Sequence, residues 1–460
     1  PSSPSSSRDR DVSLVQDLFA SVAEDEEDEE EEGGQGEEQE EQAASSAEGS
    51  TGADVSAREW MNGKGFTSKR QHDIAEACFA NDFGASLDSL GLRELVVENR
   101  EWDVGEAYYV PDAPLSELVE ALQARVPAGC VRRGWPVSRV EVLSGAAEVR
   151  RELRSSVVFG SASLPNPPRQ LVKLTGPNGG FVLARRVVVA LPLAVLKASL
   201  LRPGLLAPSS SAASLSSPSP SSPSPSSSSS PSSSSPSSSP SSSSPPPPSL
   251  IQFSPALSSR KLAAMERLLV GNAIKVILSF ARPFWPDDFF DAVCPGCFVP
   301  EFWVKRPPAR RHFDENDNSL SPHVVTGFLC GDFAQEAQAL GQKETVRRAL
   351  EQLDEMFRND GNASPASDAL VASRVVDWSL DPWALGAYSH PSLGARRGDR
   401  RALAGPEFAG ALFFAGEATH EAVNPCLQAA IETGERAARE VLVAEKRDAE
   451  EGGTTRRSKL

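Results

Sequence analysis

One stretch near the end of the chain pairs a buried-looking carboxylate with a helix start. Residues 412–442 read LFFAGEATHEAVNPCLQAAIETGERAAREVL. The apolar strand 412–415 stops at Gly416, where the backbone can turn and be approached closely. Glu417 then projects from the carboxyl end of that strand, the end at which open α/β sheets bind ligands. A helix beginning at Leu427 follows, and its first-turn N–H groups lack partners and carry positive potential. Its apolar positions, Leu427, Ala430, Ile431, Gly434, Ala437, Ala438, Val441 and Leu442, form one stripe at helical spacing. Two readings fit these residues. Glu417 accepts hydrogen bonds from ligand hydroxyls while the helix start faces an anionic ligand atom, or it is a capping carboxylate beside an ordinary packed helix.

Other chemistry-bearing residues are sparse. Cys294 and Cys297 form the only close cysteine pair, in CPGC, while the remaining cysteines at 78, 130, 330 and 426 are scattered. One CxxC without a second pair or nearby histidines is a weak zinc signal. The six thiols read as reduced and mostly structural, as suits an intracellular protein.

The elements that must position these residues alternate. Residues 55–100 have apolar residues at helical spacing, and LSELVEALQAR (115–125) is a short amphipathic helix. CVRRGWPVSRVEVL ends in strand-like alternation, and the run 187–191 stopped by Pro192 suits a strand buried on both faces. A helix over 260–269, the strands AIKVILSF and HVVTGFLC, and a helix over 345–357 come next, then RVVDWSLDPWALGAYSH. Strands and helices alternating without a repeat predict a mixed α/β fold of enzyme size.

With these segments in place, LFFAGEATH and the helix ending TGERAAREVL resemble the C-terminal FAD-binding segment of the flavin-containing amine oxidases, the polyamine oxidase and histone demethylase type. PVSRVEV is similar to the family's adenine-side strand and VVVALPLAVLK to the strand closing the middle of its FAD domain. GNAIKVILSFARPFW resembles its lysine-bearing strand and DWSLDPWALGAYS its flavin-flanking tryptophan segment. The resemblance implies an FAD-binding Rossmann-like domain interleaved with a substrate domain of mixed sheet and helices. Glu417, beside Gly416, would bind ribityl or ribose hydroxyls of FAD, and the backbone N–H near Leu427 would meet the flavin O2 edge. Val137 would touch the adenine through its main chain, Trp378 would pack beside the isoalloxazine with Tyr388 nearby, and Lys275 would hold a water at flavin N5. The implied reaction passes hydride from the carbon beside an amine nitrogen to flavin N5. Imine hydrolysis and reoxidation by O2, giving H2O2, follow. A low-dielectric aromatic pocket lowers the amine pKa without a dedicated base, so His420 needs no catalytic role.

Two features depart from that family. No G-x-G-x-x-G follows a first strand, because GGQG (33–36) and GPNGG (176–180) lack that context. A truncated chain, a lost exon and a degenerate relative all stay open. The loop EAVNPCLQAA carries Val423 and Asn424 where the family usually has an aromatic ring for the amine nitrogen. The substrate is therefore another amine or no amine at all. An FAD desaturase or oxidase acting on carbon–carbon bonds, or a non-catalytic scaffold, remains the alternative.

Composition bounds the rest. Residues 24–42 hold 13 acidic residues and no base, and leaving them out takes the net charge from −17 to −4. Nothing clusters Lys and Arg into a nucleic-acid footprint, and no apolar run is long enough to span a membrane. Residues 208–249 are nearly all Ser and Pro, an extended insertion interrupting one folded unit. The chain ends Ser458, Lys459, Leu460, an address read by the peroxisomal import receptor. The expected organisation is a disordered acidic tail (1–54), substrate-domain helices (55–112), a middle FAD section (113–207) and the Ser/Pro insertion (208–249). A substrate domain (250–377), a C-terminal FAD section (378–445) and a targeting tail (446–460) complete it.

Overall fold

A computed structural model describes residues 7–22, 53–102, 114–155, 170–200, 250–305, 323–423 and 425–457. The acidic block, the Ser/Pro insertion, Asn424 and the Ser-Lys-Leu terminus lie outside the described residues. The strands are β1 (Arg139–Leu143), β2 (Leu171–Thr175), β3 (Phe181–Ala184), β4 (Val187–Val189), β5 (Gln252–Ser254), β6 (Ala273–Phe280), β7 (Asp291–Val293), β8 (Glu301–Lys305), β9 (His323–Cys330), β10 (Leu370–Asp377) and β11 (Leu412–Phe414).

They form three sheets. The order β10-β6-β9-β8-β7 is antiparallel throughout. The order β3-β2-β1-β5 is antiparallel except where β1 meets β5. β11 and β4 make a two-stranded parallel pair. The β6 alternation decides what the largest sheet does. Ile274, Val276, Leu278 and Phe280 are buried on one face, against Ala334, Ala337, Ala349 and Leu353 of the helices Gly331–Leu340 and Gln342–Phe357. Each such side chain contributes about 2 kcal/mol. Lys275, Ile277 and Ser279 are left on the other face, only half-buried. The helix–strand alternation read from the sequence is borne out as an α/β fold.

Three local expectations are corrected. The segment 1–54 is not all tail: helix Ser7–Ala20 puts Val15 and Phe19 into a core with Trp60 and Phe79, where Phe19 stacks on Phe79 at 4.1 Å. The long acidic run after it masks these few apolar residues in any windowed reading. The run 187–191 is not buried on both faces. Val188 is 42% exposed while Val189 beside it is buried, so one face of β4 is open.

Helix Leu427–Arg457 also turns a different face inward. Ala429, Thr433 and Ala437 are buried, whereas Leu427, Ile431 and Leu442 are exposed. The hydroxyl of Thr433 explains the rotation, since it binds the backbone of Gly416.

Candidate functional site

The parallel pair β4–β11 ends in a cavity of about 240 Å³, lined by 190–193, Leu196, Ala387, Leu403 and 414–419. Both strands point their carboxyl ends into it, the position at which parallel strands present ligands. Gly416 makes the turn with φ +130, a backbone angle that a side chain resists. Its N–H donates to Thr433 Oγ1 at 3.1 Å, which docks the last helix against the strand tip.

Glu417 sits in this wall and accepts from Ser389 N–H at 3.1 Å and Ser389 O–H at 2.6 Å. Burial pushes its carboxyl pKa up, opposed by the two Ser389 bonds and by the Arg400 guanidinium. Arg400 donates to Ser389 Oγ at 3.0 Å, to His390 O at 2.9 Å, and to Glu94 Oε1 at 2.7 Å. Two Ser389 bonds leave lone pairs free on a carboxylate that can take about four. Glu417 can therefore accept ligand hydroxyls as well. Carboxylate, open strand ends and a glycine turn together fit the hydroxyl-bearing chain of FAD. Among the described residues, no glycine-rich strand-to-helix turn offers a cradle for its pyrophosphate.

A second cluster lies one strand pair away. Lys275 on β6 is opposite Phe328 of β9 and Val376 of β10. Its ammonium stands 5.2 Å from the Trp303 ring and 5.5 Å from the Phe328 ring, which stack on each other at 4.8 Å. A cation over paired rings gains electrostatically while staying half-exposed. Glu301, directly before Phe302 on β8, accepts from the Trp303 indole N–H and from Asn81 Nδ2. Burial first, then the charge of Asp82, raises the Glu301 carboxyl to about 7. Asp82 reaches solvent yet has protein on most sides, which raises it to about 6, with Asp291 adding to the shift.

Tyr388 joins the clusters. Its hydroxyl donates to Asp82 O at 2.9 Å, and its neighbours work in opposite directions along the chain. Ala387 packs with Ala273, Phe328 and Cys330 beside Lys275 while also lining the cavity, and Ser389 holds Glu417. Three consecutive residues thus connect the two halves of the site.

The expected residues divide accordingly. Gly416, Glu417, Tyr388 and Lys275 fall on this connected surface. Trp378 opens a short turn after β10, 40% exposed and two residues beyond Val376 on the Lys275 face. Val137 packs half-buried against the core that holds Val189, Phe414 and Ala418. Leu427 is 50% exposed and does not line the cavity, because the helix docks through Thr433, about 9 Å further along its axis. Sequence reading missed Ser389, Arg400, Glu94, Asp82, Glu301, Trp303 and Phe328. Nothing in four arginines at 396, 397, 400 and 401 marks Arg400 as the buried one.

Glu301 supplies a pH signature. A carboxyl whose folded pKa exceeds its unfolded value holds its proton more tightly in the native chain. Its contribution is full below 4.5 and is lost as pH rises through about 7. Asp82 acts the same way from 3.8 to about 6. Glu301→Gln is expected to flatten the fall of the urea midpoint between these pH values. An unchanged slope would mean that Glu301 is ionised throughout.

Among the described residues no cluster of His, Cys, Asp and Glu could hold a metal, and no helix is long and apolar enough to cross a membrane. Residues 238–442 match the family model described as flavin containing amine oxidoreductase. A lysine-specific histone demethylase 1 homolog 3 of Arabidopsis thaliana is 33% identical over 201 residues, covering 42% of this chain and 11% of that protein. A human peroxisomal N(1)-acetyl-spermine/spermidine oxidase is 29% identical over 212 residues, covering 41% of this chain and 39% of that one. The chain thus spans well under half the length of these curated relatives. A putrescine oxidase structure bound to putrescine is 15% identical with a TM-score of 0.59, covering 96% of this chain and 77% of that one, a likeness of fold. Residues 238–442, which carry the lysine-bearing strand and much of the lining of the strand-end cavity, thus resemble the flavin-containing amine oxidoreductases.

Proposed function

We propose that this chain forms the catalytic part of an FAD-dependent oxidase of an aliphatic, polyamine-like amine. The observation that carries the reading is the 387–389 stretch, which holds Glu417 through Ser389 and packs Ala387 against the Lys275 cluster. Bound FAD would supply a two-electron acceptor for hydride leaving the carbon beside nitrogen. Glu417 and the turn at Gly416 would hold its hydroxyl-bearing chain. Lys275 would fix a water by donating from its ammonium. Trp303 and Phe328 would wall the reacting carbon from solvent, and a dry aromatic wall favours the neutral amine over the ammonium. Asp82 and Glu301 would draw in the substrate's other, charged nitrogen. A carbonyl compound, a shorter amine and hydrogen peroxide would leave.

Those two carboxyls weigh against the runner-up, desaturation of a carbon–carbon bond, since an apolar substrate brings no positive charge to meet them. Peroxisomal import through Ser458, Lys459 and Leu460 belongs to the same proposal, supported by the similarity to the human peroxisomal enzyme. A fluorescent fusion bearing this terminus that stays outside peroxisomes would remove it.

The test is spectroscopic. The chain, expressed with any segment that precedes Pro1, is expected to purify yellow and to bleach anaerobically with a polyamine. A colourless protein, or flavin that amines leave oxidised, defeats the proposal and favours the scaffold reading. Lys275→Met is expected to slow bleaching about 100-fold, the scale of losing one donor at a site of developing charge, with flavin content unchanged.

A further inference from the structure

The CPGC motif at 294–297 is not used by the site described above. It opens the connection between β7 and β8, the hairpin that carries Glu301 and Trp303. Cys297 N–H donates to Cys294 O at 3.1 Å, closing a four-residue turn. Gly296 has φ +75, and Pro295 precedes it, the residue pattern of a type II turn. A Cβ at Gly296 would also lie 2.9 Å from Asp73 Oδ2, so glycine is needed there twice over.

A turn of this kind holds its end Cα atoms within about 7 Å, and a disulfide needs roughly 4.4–6.8 Å. Burial first, then a charge on Cys297, raises the pKa of Cys294. Their environments differ. Cys297 is exposed, whereas Cys294 is 9% exposed and hydrogen-bonds inward to the carbonyl of Ala292. The frame around them is fixed, with Cys294 N–H donating to Pro300 O at 2.7 Å and Gln352 holding both backbone groups of Val299.

We propose that Cys294 and Cys297 form a peroxide-sensitive dithiol, with Cys297 as the attacking and Cys294 as the resolving thiol. Cys297 sulfur attacks one oxygen of hydrogen peroxide, the O–O bond breaks, and a sulfenic acid and one water result. Cys294 sulfur then attacks Cys297 sulfur, the S–O bond breaks, and a disulfide and a second water form. Two thiols lose two electrons and two protons, and one peroxide becomes two waters. Once closed, the bridge resists simple thiols. Attack on the exposed sulfur must expel Cys294, whose pKa burial pushes up to about 11, and a high-pKa thiolate leaves slowly. A dithiol, which captures the mixed disulfide intramolecularly, reopens it. Because Glu301 follows Pro300 directly, closure tightens the loop that seats the acidic side of the Lys275 cluster.

The proposal needs no turnover to test. The reduced full chain is treated with hydrogen peroxide, its remaining thiols are blocked with a maleimide, and peptides are weighed. The expected result is one peptide holding both cysteines, lighter by two hydrogens, unblocked, and restored by dithiothreitol but poorly by glutathione. Cys297→Ser is expected to leave Cys294 fully blockable at the same peroxide dose, and Cys130→Ser to change nothing. Cys297 found as a sulfinic acid with Cys294 still blockable would overturn the proposal. So would a bridge from Cys297 to Cys130, or oxidation of Cys294 in Cys297→Ser.

Discussion

Lys261→Met is expected to destabilise the chain by about 3 kcal/mol, a large share of the roughly 5–15 kcal/mol that holds a domain together. Lys261 is only 1% exposed on helix Ser259–Arg267. All three of its ammonium protons are used, donated to Ala402 O at 2.9 Å, Leu403 O at 2.5 Å and Gly405 O at 2.7 Å. These are carbonyls at the end of helix Asp399–Ala404, groups with no partner inside the helix. The same ammonium lies 3.8 Å from the ring centre of Phe414, which lines the cavity beside Glu417. Methionine fills the space and donates nothing, so three carbonyls lose their partner at about 1–3 kcal/mol each. Relief from burying a charge returns part of that.

The pH dependence separates this account from a packing defect. Burial lowers the Lys261 pKa from 10.5 to about 7, so between those values the unfolded chain binds more protons than the native one. Stability from this group therefore falls as pH drops through 7 and grows as pH climbs toward 10.5. Urea midpoints at pH 6.5 and 9 should show the gap between wild type and Lys261→Met widening at the higher pH. A constant gap would mean that Lys261 keeps its charge throughout, and the burial argument would fail.

What the sequence revealed depended on whether the signal was local. The β6 and β9 strands were legible to the residue, since β-branched runs bounded by turn residues need no partner to be recognised. The turn at Gly416 was legible because strand, turn and helix follow one another within a few residues. The face of the last helix was not. Leu427, Ala429, Ala430 and Ile431 run nearly all round it, and only the distant Gly416 backbone decides that Thr433 points inward. Nor could the aromatic partners of Lys275 be read, since Trp303 and Phe328 reach it only through the β9 register. Lys261 and Arg400 belong to residue types that are almost always exposed. What buries them is carbonyls and carboxylates from segments far away in the chain.

Arg400→Met is expected to cost about 3–5 kcal/mol, the scale of breaking a buried ion pair. The larger consequence falls on Glu417. Arg400 is 3% exposed and grips Glu94 with Nε at 2.7 Å and Nη2 at 3.1 Å, while Nη1 reaches Ser389 Oγ at 3.0 Å. Removing it takes the guanidinium away from two carboxylates, Glu94, which keeps the Ser392 N–H, and Glu417, which keeps its two Ser389 bonds. If the uncompensated charge is what costs, Glu94→Gln should recover part of the loss in the double variant, a coupling that chemical denaturation measures directly. Losses that simply add would show that Arg400 acts through packing alone. Arg400 also holds the Glu417 pKa down against burial. Without it Glu417 takes up a proton more readily, and a protonated carboxyl offers fewer acceptor sites to cofactor hydroxyls. In the proposed enzyme, flavin affinity should therefore fall in Arg400→Met and recover as pH is raised. The conservative Arg400→Lys should keep the charge, losing the two-pronged grip on Glu94 but retaining most of the affinity. Affinity that falls equally at every pH would assign Arg400 to the fold and leave the protonation of Glu417 out of cofactor binding.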